Sequence, residues 1–216
     1  MHRCLDGLLN HKDTAGIDIM NTDRKISDFI SASLNETAAM VQNIENACGK
    51  AVIDSIDCII NAFQRGNKLL ICGNGGSAAD SQHIAAEFVV RFKKNRSGLP
   101  AIALTTDTSI LTAASNDYGF KSVFSRQVQA MGRKGDIFIG LSTSGNSENI
   151  VYAMRHAKSE GLTCIAFTGN EKSALGDLAD IVIQIPGKST AKVQEGHIIV
   201  AHLICEIVEQ EIFPGD

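Results

Sequence analysis

Five short apolar runs, at 68–72, 101–104, 136–141, 163–167 and 181–185, recur along this chain, each parted from the next by at least one segment of helical length. No other feature constrains the fold as tightly. Strands joined by connections that long cannot pair as hairpins, so they lie parallel, and their unbroken apolar character puts them in a sheet covered on both faces. The pattern predicts an α/β fold: a five-stranded parallel sheet with helices on both faces. Ahead of it runs an apolar stripe of Ile26, Phe29, Ile30, Leu34, Val41 and Ile44, spaced by threes and fours as in an amphipathic helix. A second such helix carries Val52, Ile53, Ile56, Ile59, Ile60 and Phe63 and closes at Gly66, a C-cap residue. Two long N-terminal helices before any strand need something to pack on, either the domain itself or a partner subunit. The last segment, about 190–213, is apolar nearly all round and is expected to be buried in the domain or between subunits.

A length of 216 residues suits one domain. The first twenty residues lack a pattern, and Met20-Asn21-Thr22-Asp23 looks like a second start, so 1–20 is expected to be a disordered extension and 21–216 the domain. With 20 basic against 24 acidic side chains, the chain has no global attraction to nucleic acid. No apolar run approaches the ~18 residues of a membrane span, and the N-terminus lacks the apolar stretch of a signal peptide. Cys4, Cys48, Cys58, Cys72, Cys164 and Cys205 are scattered without a C-x-x-C pair. They read as reduced core thiols of a cytoplasmic protein.

In parallel sheets, ligands bind where strand ends lead into helix N-termini. Two such loops stand out. Gly73-Asn74-Gly75-Gly76-Ser77 follows the first strand, with Ser77 and Asp80 in capping-box-like spacing; Ser142-Thr143-Ser144-Gly145-Asn146-Ser147 follows the third. Glycines admit a ligand close to the backbone, hydroxyls add donors, and the helix dipole favours an anion, so together these loops point to phosphate. The first also nearly matches G-x-G-x-x-G/A through Gly73, Gly75 and Ala78. A dinucleotide site wants an acidic residue about twenty positions on, and Asp107 lies about thirty away, so that alternative ranks low.

His83 and Glu87, at i and i+4, share a helix face within reach of one ion or one substrate. An ordinary surface hydrogen bond is the plainer account of such a pair, but the phosphate loop lies within three turns. In the C-terminal helix Gln194, Glu195, His197 and His202 each need a partner, and His197 reads as a core histidine. Gln194 and His202 stand about 12 Å apart along the axis, too far for one chain to bring both to one ion, so a shared site takes one from a neighbouring subunit. Asn116 and Asp117 read as loop punctuation after the second strand. The basic run Arg91, Lys93, Lys94 and Arg96 reads as a solvated helix end with one member free to meet a phosphate.

In this order the motifs Gly73-Asn74-Gly75-Gly76-Ser77, Gln82-His83-x-x-x-Glu87, Asn116-Asp117-Tyr118-Gly119-Phe120, Ser142 to Ser147 and Gln194-Glu195-x-His197-x-x-x-x-His202 resemble those of the phosphoheptose (sedoheptulose 7-phosphate) isomerases. These belong to the sugar-isomerase (SIS) superfamily, and the match runs from about residue 24 to 213. The resemblance implies a single SIS domain of flavodoxin-like topology and a homotetramer with sites between subunits. It also implies one zinc ion per subunit and isomerisation of sedoheptulose 7-phosphate to D-glycero-D-manno-heptose 7-phosphate, towards bacterial surface polysaccharide. By the same resemblance His83, Glu87, Gln194 and His202 would ligate the metal, with Glu87 and His202 as the acid/base pair. Asn74, Gly75, Gly76, Ser77, Glu87, Asn116, Asp117, Ser142, Thr143, Ser144, Ser147 and Gln194 would meet the sugar phosphate. The alanines at 78 and 79 stand where some members carry bulkier or polar residues. Two alternatives share the fold: a non-catalytic partner of the replication initiator DnaA, which lacks counterparts of Glu87 and His202, and a sugar-phosphate sensor.

Overall fold

The computed structural model describes residues 19–215, with side chains from Asp23 onward. In chain order the elements are α1 (Ile19–Gln64), β1 (Leu69–Gly73), α2 (Gly76–Val89), β2 (Ala101–Ala103), α3 (Thr108–Tyr118), α4 (Ser125–Met131) and β3 (Ile137–Leu141), then α5 (Glu148–Ser159), β4 (Thr163–Gly169), α6 (Ala174–Leu178), β5 (Ile181–Ile185) and α7 (Thr190–Ile212). Each expected strand forms within two residues of its expected bounds. The expected disordered extension lies outside the described residues, except Ile19 and Met20, with which α1 opens.

The expected pair of N-terminal helices is one continuous helix of 46 residues. Nothing between Ile44 and Val52 breaks it. The single glycine there, Gly49, stands where a side chain would find ordinary room. Ile44, Cys48, Val52, Ile56, Ile59 and Phe63 prolong one buried stripe through the expected gap, with the Cys48 thiol bonded to the Ile44 carbonyl. The chain divides inside this helix into two compact units, up to Ala38 and from Ala39 onward. In the first, Ile26, Phe29, Ile30 and Leu34 are exposed. The second holds everything that follows. The C-cap at Gly66 is as expected: its φ is 78° and its N–H meets the Phe63 carbonyl.

The sheet order is β2-β1-β3-β4-β5, all parallel, with Ile71 beside both Ala103 and Ile139. One apolar layer joins α1 from Met40 with α2 and α7; the other joins α3, α4, α5 and α6. The helices that follow β1 and β3 therefore leave to opposite faces, and the strand order reverses between those two strands. That is the switch point at which an open parallel sheet leaves a crevice at its carboxyl edge. Here the crevice lies between the two loops that the sequence singles out.

Helix α7 is only partly enclosed by its own chain, so burial within the domain does not account for all of its apolar side chains. Leu203 and Ile207 stay exposed, as do Val89 and Val90 at the end of α2. Among the described residues the cysteines are free. Burial lifts the Cys72 thiol well above its ordinary range and Cys164 to about 12, which leaves them unreactive core groups.

Candidate active site

Gly73 ends β1, and a side chain there would collide with the Ser77 carbonyl, its Cβ only 2.4 Å from the oxygen. Only glycine lets the chain double back so tightly into α2. The expected Ser77–Asp80 capping box does not form: the N-cap is Gly75, with no side-chain cap, and Ser77 lies inside the helix accepting from Ser81 through its carbonyl. The physical reason is the glycine pair, which starts the helix at Gly76 and leaves its first N–H groups uncapped toward the crevice. Across the crevice Ser147 occupies the N-cap of α5, yet its hydroxyl meets Ser142 at 3.0 Å instead of its own helix. Gly145 turns with φ 66°, where a Cβ would strike the Ser173 hydroxyl at 2.1 Å. Ser144 accepts from the Asn146 N–H at 3.2 Å, and the Asn146 side chain ties the loop to Ala174. The Thr143 carbonyl accepts from Gly169. Two uncapped helix starts and a set of hydroxyls thus flank one crevice, a setting that suits a phosphate.

The Asn74 side chain is not free within the crevice. It exchanges two hydrogen bonds, at 2.9 and 2.8 Å, with Asn149 of α5, so this amide pair joins the two loops across the switch point. Asn149 carried no motif in the sequence. Its place in the first turn after the serine loop was the one available signal.

About two and three turns into α2, the helix meets α7. The Nε2 atoms of His83 and His202 stand 2.8 Å apart, with ring centroids at 5.0 Å, and Glu87 Oε1 lies 3.3 Å from the same His83 nitrogen. Ligand atoms of all three residues fall within 4.8 Å of one another. Two imidazole nitrogens at that separation repel unless a proton or a cation lies between them. Two nitrogens and a carboxylate also form a donor set that suits zinc.

Gln194 does not join these three within the chain. Its Nε2 donates to both oxygens of Asp80 at 2.8 Å, beside Gly76. The helix separation expected between Gln194 and His202 therefore holds. Asp80, read from the sequence only as a capping-box residue, is a second site residue that sequence reasoning missed, although it precedes His83 by three and Glu87 by seven and so shares their face. Burial pushes its carboxyl up, while the Gln194 bond and the neighbouring His83 and His202 pull the other way. By taking the amide nitrogen, Asp80 leaves the Gln194 oxygen for another partner.

The remaining candidates sit elsewhere. Asn116 and Asp117 belong to the last turn of α3 rather than to a loop, exposed and bonded to each other at 2.9 Å. Among the described residues, no hydrogen bond joins them to the crevice. His197 is fully buried, as expected of a core histidine. Its Nε2 lies 3.3 Å from the Thr168 carbonyl, and burial lowers it to about 4. Glu195 pairs with Lys192. Of the basic run, Arg96 is no solvated end: its guanidinium is buried against Glu209.

The SIS domain model matches residues 34–169. The phosphoheptose isomerase of Roseiflexus sp. (strain RS-1) is 59% identical over 190 residues, 88% of this chain and 94% of that protein. The phosphoheptose isomerase of Clostridium acetobutylicum is 52% identical over 190 residues, covering 87% and 97%. Among solved structures, the phosphoheptose isomerase of Neisseria gonorrhoeae superposes with a TM-score of 0.81 at 38% identity, over 86% of this chain and 99% of that one.

Proposed function

The chain belongs to the phosphoheptose isomerase family of SIS-domain proteins, and from that membership we propose how its crevice works. The protein is a ketose–aldose isomerase that converts sedoheptulose 7-phosphate to D-glycero-D-manno-heptose 7-phosphate, opening heptose biosynthesis. The observation that carries this reading is the convergence of His83, Glu87 and His202 on one point, beyond a crevice with two uncapped helix starts. A non-catalytic partner of a replication initiator is not favoured, because it would have no use for that convergence; neither would a sensor.

The phosphate sits against the N–H groups of the two helix starts and the hydroxyls of Ser142, Thr143, Ser144 and Ser147, with the backbone of Asn74, Gly75, Gly76 and Ser77 on the other side. Held there, the extended sugar carries its carbonyl end along α2 towards Glu87. The Glu87 carboxylate takes a proton from C1. The imidazole of His202 gives a proton to O2 and takes one from O1 through the enediol, and the Glu87 carboxylic acid returns its proton to C2. One glutamate oxygen faces His83, which leaves the other for the carbon proton. His83, Glu87 and His202 would hold a zinc ion, whose charge would polarise the substrate carbonyl. The fourth ligand assigned by the resemblance, Gln194, is turned to Asp80 within this chain.

The assay is turnover of sedoheptulose 7-phosphate followed by NMR of the aldose, with and without a chelator. We expect activity lost to the chelator and restored by zinc. Activity indifferent to the chelator would remove the metal and keep the enzyme. No turnover with any divalent ion would overturn the isomerase.

We place the site between subunits of a cytoplasmic homotetramer. Three observations support this: the exposed apolar faces at Phe29 and Leu34 and at Leu203 and Ile207, the separation of Gln194 from His202, and the exposure of Asn116 and Asp117, whose side chains bond to each other. No helix among the described residues is long and apolar enough to cross a membrane. Light scattering is expected to give about four times the 23.1 kDa chain mass. A fully active monomer would rule the shared site out.

A further inference from the structure

Helix α2 ends without a glycine cap. Its C-cap is Val90, whose N–H reaches the Ala86 carbonyl, and the carbonyls of Glu87 and Phe88 need donors of their own. Arg96 serves both: Nη2 donates to the Glu87 carbonyl at 2.8 Å, and Nη1 donates at 2.6 Å to the Phe88 carbonyl, which the Leu99 N–H also reaches at 2.9 Å. Its Nε donates to Glu209 of α7 at 2.9 Å, and both side chains are only 2% exposed. Glu209 in turn accepts the backbone N–H groups of Phe92, Lys93 and Lys94, at 2.9, 2.7 and 2.9 Å. The turn from Phe92 to Arg96 is thus wrapped around one buried carboxylate. That turn also presents the Phe92 ring to His202, with centroids 5.6 Å apart. Glu209 follows His202 by seven residues, two turns along the same face of α7.

We propose that Arg96 and Glu209 form a positioning pair that sets the register of α2 against α7 and thereby holds Glu87 opposite His202. The guanidinium grips the backbone of the very residue whose carboxylate moves the carbon proton. The carboxylate that neutralises it belongs to the helix that carries the facing imidazole. A lysine would keep the charge pair but could not span two carbonyls and a carboxylate, because its ammonium lacks the planar fork. A shift of about 1 Å between Glu87 and His202 would cost on the order of 10²-fold in turnover. The glycine loop lies at the opposite end of α2 and the serine loop at the start of α5, and both would be untouched.

The inference rests on the isomerase reading, and the test separates the two. Arg96→Lys is compared with Asp136→Asn, which breaks a second buried ion pair, with Lys68, at the amino edge of the sheet. We expect Arg96→Lys to fold, to lose about 10²-fold in kcat with KM nearly unchanged, and to shift the ring signals of His83 and His202 in NMR spectra of the histidine-labelled, metal-free protein. Asp136→Asn should lower Tm and leave kcat and both ring signals in place. Wild-type kcat and unmoved signals in folded Arg96→Lys would overturn the proposal, as would an equal kcat loss in Asp136→Asn. If Arg96→Lys does not fold, Glu209→Gln, of the same shape, is scored by the same criteria. If the wild type turns over no sugar phosphate, the isomerase reading fails, while the histidine signals still decide whether the pair positions His202.

Discussion

Glu87→Gln is expected to lower kcat by 10²–10⁴-fold, the range that general acid–base groups supply, with the fold intact and KM little changed. The amide keeps the shape of the side chain and can still face His83, but it cannot accept a proton from carbon. His202→Asn should cost a similar factor by stranding the oxygen protons. Because the two act on one enediol, the double variant should be little worse than either single one. Single-turnover NMR of the aldose signal checks this, with circular dichroism to confirm folding. Near-full activity in Glu87→Gln would remove the carboxylate from the chemistry.

The second large effect concerns stability in acid. Burial alone would raise the Glu209 carboxyl, but the N–H bonds from Lys94, Lys93 and Phe92 and the guanidinium of Arg96 outweigh it and hold the group at about 2, against an ordinary 4.5. A pKa depressed in the folded state stabilises it fully above the unfolded value and loses that contribution as pH falls from about 4.5 through 2. At neutral pH, Glu209→Gln should therefore cost roughly 3 kcal/mol, because Arg96 is left buried without its counter-charge. Between pH 4.5 and 2 the stability of the variant should fall less steeply than that of the wild type. Some slope remains, since Asp136 is also held below its usual range: burial would raise it, and bonds from Lys68 and Arg133 prevail. Urea melts at pH 7, 4.5 and 3 check this. Parallel losses in variant and wild type would mean that Glu209 is not ionised in the native state.

Much of the fold could be read directly from the chain because parallel strands are self-announcing. Leu69 to Cys72 and Ile137 to Leu141 are apolar without alternation, which only a strand buried on both faces permits. The two phosphate loops could be read for a similar reason, since their chemistry is local to five or six consecutive residues. The join between the expected N-terminal helices was misjudged because a lone glycine and a few polar residues look like a break until the stripe through Cys48 is seen to be buried.

What the sequence determined by itself is whatever depends on neighbours along the chain: strand order of appearance, the glycine turns, and the His83–Glu87 face set by helical spacing. What only the tertiary structure decided is which distant groups meet. His202 reaches His83 across 119 residues, Gln194 goes to Asp80 across 114, and Arg96 closes on Glu209 across 113. All three contacts follow from one packing event, α2 against α7. Its register is set by the shape of the apolar layer beneath both helices and by buried charges that must find partners, and neither leaves a periodic trace in the sequence.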